Sequence, residues 1–277
     1  MKPRTLIGLL AIPAALSVLG CSTTTPPVSA DALPGGRPGY VIGYLAPNEL
    51  PDPSEFLAPP PTKGSTLLAG DEEVYKTTRY LRDSPRWQLA QQDADLTFPN
   101  AARTFSCALG ISISEEQTPH LNMLIRRVRA DASRANDKVK SLYQRRRPYL
   151  TFGDTSCTPK EKHKDDSYPS GHTSIGWAWA LVLAELAPER ANAILARGLA
   201  FGESRIICGV HWKSDIDGGR VVGAATVSRL HTNPTFTAQL ALARGEIAAA
   251  RAAGSKPAAD CAAEAQALSV SVASRPK

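Results

Sequence analysis

Thr173-Ser-Ile-Gly-Trp-Ala-Trp-Ala-Leu-Val-Leu-Ala-Glu-Leu186 decides the fold. Its apolar side chains, Ile175, Trp177, Leu181, Val182, Leu183 and Leu186, fall on nearly every face of a helix, so the segment belongs at the centre of a bundle. The pair Trp177 and Trp179 reads as core packing. Outward from it, helical patterning recurs over residues 71–81, 84–96, 99–109 and 118–146 on one side, and over 191–201, 214–230 and 234–253 on the other. Only residues 111–114 alternate as a strand would, too briefly to found a sheet. The expected class is all-α, a single-domain helical bundle. Gly219 and Gly223, one turn apart in a predicted helix, cost stability unless two helices close on them, and so mark a close approach.

A chain of 277 residues with 43% hydrophobic content suffices for one sizeable core and leaves little room for a second. Residues 1–21 read as an export signal: Lys2 and Arg4 are followed by an apolar run from Leu6 to Leu19, too short to span a bilayer. The run closes on Val18-Leu-Gly-Cys21, which resembles the lipobox of bacterial lipoproteins and would make Cys21 a lipid anchor, with an ordinary signal cut nearby as the plainer alternative. Residues 22–65 hold ten of the 22 prolines, a composition for an extended arm that wraps the domain without joining its core. Residues 66–253 form the helical domain. The alanine-rich tail 254–277 reads as loosely held except at Cys261.

Once Lys2 and Arg4 leave with the signal, the formal charge falls from +6 to +4. No aromatic and basic interleaving accompanies it, so small anionic substrates fit the excess better than nucleic acid. With Cys21 taken by lipid, Cys107, Cys157, Cys208 and Cys261 remain, an even number in a compartment where disulfides persist. Three pairings are open, and no spacing is that of a zinc site.

Three separated segments supply what phosphoryl transfer requires: cations around the equatorial oxygens, a nucleophile in line, and an acid opposite it. In Lys140-Ser-Leu-Tyr-Gln-Arg-Arg-Arg147-Pro148, nearly two helical turns would put Lys140 and Arg147 on one face, about 10 Å apart along the axis. Arg145 and Arg146 are assigned to the solvated side, which is what a basic helical stretch is by default. In Pro169-Ser170-Gly171-His172, a helix N-terminus offers N–H groups, Gly171 lets backbone approach an anion, and Ser170 adds a hydroxyl. The plain alternative is a turn in which Ser170 caps the helix. His172 beside it could protonate a departing alkoxide. In Ser204-Arg205-Ile-Ile-Cys-Gly-Val-His211-Trp-Lys-Ser-Asp215, helical spacing from His211 would bring Asp215 to the imidazole Nδ1–H and leave Nε2 as nucleophile. Arg205 is the third cation, able to bind two phosphoryl oxygens. The bland reading of His211 and Asp215 is a local capping bond. Each plain reading is comfortable alone, but none predicts the whole inventory.

The pattern K-x6-R-P, P-S-G-H and S-R-x5-H-x3-D, borne here by Lys140 to Pro148, Pro169 to His172 and Ser204 to Asp215, resembles the signature of the type 2 phosphatidic acid phosphatase superfamily. The stretches Ser167-Tyr-Pro-Ser-Gly-His-Thr-Ser174 and Gly202-Glu-Ser-Arg-Ile-Ile-Cys-Gly-Val-His-Trp-Lys-Ser-Asp215 look like the bacterial class A non-specific acid phosphatases, and the likeness runs from about Tyr44 to about Arg251. It implies a helical bundle of the acid phosphatase and vanadium haloperoxidase type, periplasmic or outer-membrane-attached, acting on small phosphomonoesters without metal or other cofactor, with some phosphotransferase activity. By motif position it implies that Lys140, Arg147, Ser170, Gly171 and Arg205 bind phosphate, that His211 is the nucleophile and His172 the general acid, and that Asp215 partners His211. It also implies a Cys157–Cys208 disulfide, which leaves Cys107 and Cys261 to pair by elimination. Membrane attachment through Cys21 departs from the family habit, and a homo-oligomer is compatible with the sequence without being fixed by it.

The rival readings are a vanadium-dependent haloperoxidase, which the short chain and compact spacers disfavour, and a membrane lipid phosphatase, for which no apolar run is long enough. A non-catalytic exported phosphate-binding protein would need the cations but neither His172 nor the His211 and Asp215 couple.

Overall fold

The computed structural model describes residues 1, 25–35, 39–159 and 165–270. The export segment, the lipobox and Cys21 lie outside the described residues. In chain order the α-helices are α1 (Thr66–Thr78), α2 (Pro85–Gln92), α3 (Ser106–Leu109), α4 (Pro119–Arg134), α5 (Asp137–Tyr143), α6 (Pro148–Phe152), α7 (Gly171–Leu186), α8 (Ala191–Ile207), α9 (Lys213–Leu230), α10 (Pro234–Ala252) and α11 (Cys261–Leu268). No strand occurs among the described residues; Pro34 and Val41 make one isolated bridge. The all-α expectation holds, and no helix of the described residues is long and apolar enough to cross a membrane.

The apolar segment does become the bundle's centre. As α7 it packs against α4, α8 and α9, and Trp179, Val182 and Leu183 are fully enclosed. Trp179 keeps its indole N–H satisfied at Ile125 O, 2.7 Å away on α4, as a buried indole must. Gly219 and Gly223 admit the contact between α9 and α7. A Cβ on either would sit 2.6 Å from a backbone oxygen, of Ser170 and of Ser174 respectively. These two positions bring the α9 backbone down onto the α7 N-terminus, which is where the phosphate chemistry is expected.

Two expectations need correction. Residues 118–146 are not one helix. Asn136, fully buried, turns its amide onto Ala132 O (2.6 Å) and accepts from Ser174 Oγ (3.0 Å), the local competition with the helical ladder that asparagine offers. The chain restarts as α5 and ends on Gln144 in the left-handed region, φ 44°, so Arg145 to Arg147 lie outside any helix. The proline-rich arm, likewise, does more than wrap. Val41, Tyr44 and Leu45 are buried, Tyr44 packs edge-on to Phe236, and its hydroxyl donates to Gln239 at 2.7 Å. Asp131 on α4 receives the N–H groups of Tyr44 (2.7 Å) and Leu45 (3.3 Å). Apolar residues scattered between prolines gave no periodic signal, which is why the sequence hides them.

The cysteines pair as Cys107–Cys261 and Cys157–Cys208. The first joins α11 to α3, and α11 packs against α2, so the tail is tied to the domain through that helix. The second belongs to a smaller core of Leu81, Trp87, Ala90, Ile207 and Val210.

Candidate active site

Three segments converge where α7 begins. Ser170 is the N-cap of α7, and its Oγ accepts from Thr173 N (3.3 Å) and Thr173 Oγ1 (3.0 Å). Capping and phosphate binding are therefore compatible: both acceptor positions are used inward and the hydroxyl proton is left to give. Ser170 N donates to Asp215 O at 3.0 Å, which ties the cradle to the start of α9. An added Cβ on Gly171 would lie 3.8 Å from Lys140 Cε, so the bare face of the glycine is turned toward that lysine.

Lys140 and Arg147 do meet, but by another route than a shared helix face. Lys140 sits in the last turn of α5 and Arg147 at the N-cap of α6, brought together by the turn at Gln144. Lys140 Nζ donates to Asp166 O at 2.5 Å. Burial, then the neighbouring Arg147 charge, lowers its pKa to about 8, against the pull of Asp166, Asp215 and Asp137. Arg147 is buried and donates to Val210 O (2.9 Å) and Asp166 Oδ1 (2.6 Å).

The contacts of His211 fix its tautomer. Arg147 Nη1 approaches Nε2 at 3.3 Å and Asp215 Oδ2 approaches Nδ1 at 3.3 Å. A guanidinium only donates and a carboxylate only accepts, so Nδ1 carries the proton and Nε2 holds its lone pair toward the cations. The helix begins later than the spacing suggested: α9 starts at Lys213 with Trp212 as its N-cap, and His211 precedes it. Asp215 is then in the first turn, where its Oδ2 also accepts from Trp212 N at 2.8 Å. The capping bond and the histidine bond are made by one oxygen.

The other Asp215 oxygen was not foreseen. Arg145, assigned to the solvated side, has a side chain only 9% exposed and donates to Asp215 Oδ1 at 2.6 Å, to Ser214 Oγ at 2.7 Å and to Asp71 Oδ2 at 2.8 Å. Asp71, on α1, also accepts from Ser214 N (2.8 Å) and Ser214 Oγ (2.5 Å). Burial pushes Asp215 above the ordinary carboxylate range, while Arg145 and the Trp212 N–H oppose that shift. Arg146, by contrast, is exposed and reaches Asp165 at 3.5 Å.

His172, in the first turn of α7, has its Nε2 3.1 Å from Ala94 O and its ring stacked near Phe201. A carbonyl only accepts, so Nε2 bears a proton and Nδ1 is the atom left for chemistry. Burial, then Arg205, lowers the His172 pKa well below the usual histidine value; His211 and Arg147 add to this, and the Ala94 bond opposes it. Arg205 is buried on α8 and its charge is felt at His172. The candidates from all three segments thus share one site. Among the described residues no group of carboxylates, histidines and cysteines is arranged to hold a metal.

Comparison with known proteins shows what the chain is similar to. Residues 128–236 match the PAP2 superfamily. The chain is 42% identical over 209 residues to an acid phosphatase of Zymomonas mobilis subsp. mobilis, covering 74% of this chain and 79% of that one. It is 42% identical over 209 residues to a non-specific acid phosphatase of Providencia stuartii, with 74% and 84% covered, and 40% identical over 208 residues to one of Salmonella typhi, with 74% and 83% covered.

Proposed function

The chain belongs to the PAP2 superfamily, with bacterial non-specific acid phosphatases among its relatives, and on that premise we propose that it hydrolyses phosphomonoesters of broad specificity by passing the phosphoryl group through His211. The observation that carries this is the His211 tautomer. An imidazole with Nδ1–H held by a carboxylate and Nε2 turned to an arginine is poised to attack phosphorus.

In the first half-reaction His211 Nε2 bonds to phosphorus, the ester P–O bond breaks, and the leaving oxygen takes a proton from His172 Nδ1. In the second, water attacks phosphorus, gives its proton to His172, and the P–N bond breaks to release phosphate. Asp215 holds the ring and offsets the charge that phosphorylation places on it. Lys140, Arg147, Arg205, the Ser170 hydroxyl and the α7 N-terminus around Gly171 stabilise the equatorial oxygens. Because water and another alcohol compete for the same phosphohistidine, some phosphotransferase activity follows from the same mechanism.

Export by residues 1–21, with retention on a membrane through Cys21, is the location proposed; two disulfides suit an oxidising compartment. The test is a pulse with labelled p-nitrophenyl phosphate, quenched in alkali because phosphohistidine is acid-labile. Label on the His211 peptide, absent from His211→Ala, is the expected result. Full turnover by His211→Ala, or label on another residue, overturns the assignment.

A further inference from the structure

Behind His172 lies a buried ionic group that the mechanism above does not use. Asp93, at the end of α2, receives Arg197 Nη2 at 2.5 Å and Nη1 at 3.2 Å, and Ser204 Oγ donates to it at 2.6 Å. Arg197 Nε reaches on to Glu264 Oε2 at 3.3 Å. Arg86 Nη1 donates to Ser204 Oγ at 2.9 Å from the other side. Asp93, Arg197, Ser204 and Arg86 are all fully enclosed. Breaking such a pair costs several kcal/mol, yet replacing it by apolar packing is often neutral, so burial of this kind argues for a geometric task as readily as for stability.

The geometry names the task. Asp93 is the residue before Ala94, whose carbonyl holds His172 Nε2. On the far side Asp95 accepts from Thr97 N (2.8 Å), Thr97 Oγ1 (2.5 Å) and Asn100 Nδ2 (2.8 Å). Ala94 is thus clamped on both flanks. Its carbonyl lies just past the C-terminus of α2, where backbone oxygens have no intrahelical donor and the dipole favours a cation. The same α8 that carries Arg197 and Ser204 carries Phe201, stacked near the imidazole, and Arg205.

We infer that Asp93, Arg197 and Glu264 are positioning residues for the general acid: they fix the Ala94 carbonyl against His172 Nε2, so that Nδ1 faces the leaving oxygen. Glu264 belongs to α11, which the Cys107–Cys261 disulfide ties to the domain. Its helix is therefore the outer wall of the acid's support. Without the support the ring could turn and lose its fixed proton position, and the hydrogen bond that favours its charged form would weaken. The defect would fall on protonation of the leaving group and not on phosphate binding.

This inference rests on His172 being the acid, and the experiment separates the two claims. Glu264→Gln, Asp93→Asn and the double variant Cys107→Ser with Cys261→Ser are compared with His172→Ala on an alkyl phosphate and on 2,4-dinitrophenyl phosphate. His172→Ala should lose kcat/KM on the alkyl ester and largely spare kcat/KM on the aryl one, since kcat/KM reports phosphorylation and not the second half-reaction, in which His172 is the base. The three support variants should show the same leaving-group dependence in milder form, a loss of roughly 10- to 100-fold in kcat/KM on the alkyl ester with affinity for inorganic phosphate little changed. Glu264→Asp should restore part of it. Circular dichroism melts identify any variant that fails to fold; Glu264, at the edge of the group, is the substitution that keeps the comparison available. If His172→Ala shows the dependence and folded Glu264→Gln and double cysteine variants lose both esters equally, or neither, the support role is wrong. If His172→Ala itself shows no dependence, the acid assignment falls first.

Discussion

Arg145 Nη1 stands 2.6 Å from Asp215 Oδ1, on the side of the carboxylate away from His211. Asp215 has no exposed surface, and a carboxylate so enclosed survives in its charged form only with such a partner. Arg145 in turn is held by Asp71 at 2.8 Å, so α1 supports the Asp215 and His211 pair through two ionic contacts.

Arg145→Met should therefore destabilise the fold by about 3 kcal/mol, the usual cost of leaving a buried charge unpaired. Since the guanidinium lowers the Asp215 pKa against burial, its loss lets Asp215 take a proton at higher pH. The acid limb of kcat/KM should move upward in pH, and kcat should fall more than KM rises. Arg145→Lys should recover part of both. A pH profile of Arg145→Met that superimposes on the parent would remove Arg145 from the site.

Why Arg145 was invisible in the sequence, while Arg147 two residues later was not, is a matter of backbone. A continuous helix through residue 146 sends alternate basic side chains to opposite faces and leaves Arg145 in solvent. The break at Asn136 and the left-handed Gln144 reverse that outcome, and both depend on tertiary contacts, Asn136 with Ser174 above all. Asp71 carries no signal at all, being an acidic residue in a helix distant in sequence from its partners. The placement of His211, His172, Ser170 and Gly171 was readable because each lies in a short segment with a definite local geometry, a helix start or a tight turn. The centrality of α7 was readable for a different reason: apolar residues on every face admit no other place.

His172 supplies the second prediction. Burial, the Arg205 charge and the nearby cations hold its pKa well below the ordinary 6.5, and the ring must be protonated to serve the leaving group. A substrate dianion between it and those cations works in the opposite direction, so the shift should be larger in the free enzyme. The alkaline limb of kcat/KM should accordingly lie below 6.5, with that of kcat displaced to higher pH. With 2,4-dinitrophenyl phosphate, which needs little protonation, the alkaline limb should flatten. An alkaline limb at ordinary histidine pH for every ester would contradict the assignment.

Lys140 gives a third, on binding. Its pKa of about 8, set by burial first and by Arg147 second, means that the free site loses a cation as pH passes that value. Affinity for inorganic phosphate, measured by calorimetry, should weaken as pH rises through about 8, and Lys140→Met should bind weakly throughout. In that variant the dependence on pH near 8 should disappear. A Lys140→Met protein that binds phosphate like the parent at pH 6 would show that the amine serves only Asp166.

The arm provides a prediction about stability. Asp131, fully buried, holds the backbone of Tyr44 and Leu45, and burial raises its pKa from 3.8 to about 6 in spite of those two N–H bonds and of Arg127 and Arg134. A folded-state pKa above the unfolded one means that the folded chain binds the extra proton. Its contribution is fully present below about pH 4 and is lost as pH rises through 6, a difference on the order of 3 kcal/mol by linkage. Asp131→Asn, which keeps one acceptor and cannot ionise, should remove this component. The gap in melting temperature between variant and parent should then shift in the variant's favour from pH 4 to pH 7. Proteolysis within residues 41–45 should follow the same order, since the arm is released where its anchor is weakest. If the gap is unchanged between those pH values, Asp131 is not titrating in this range and the arm is held by Tyr44, Gln239 and Phe236 instead.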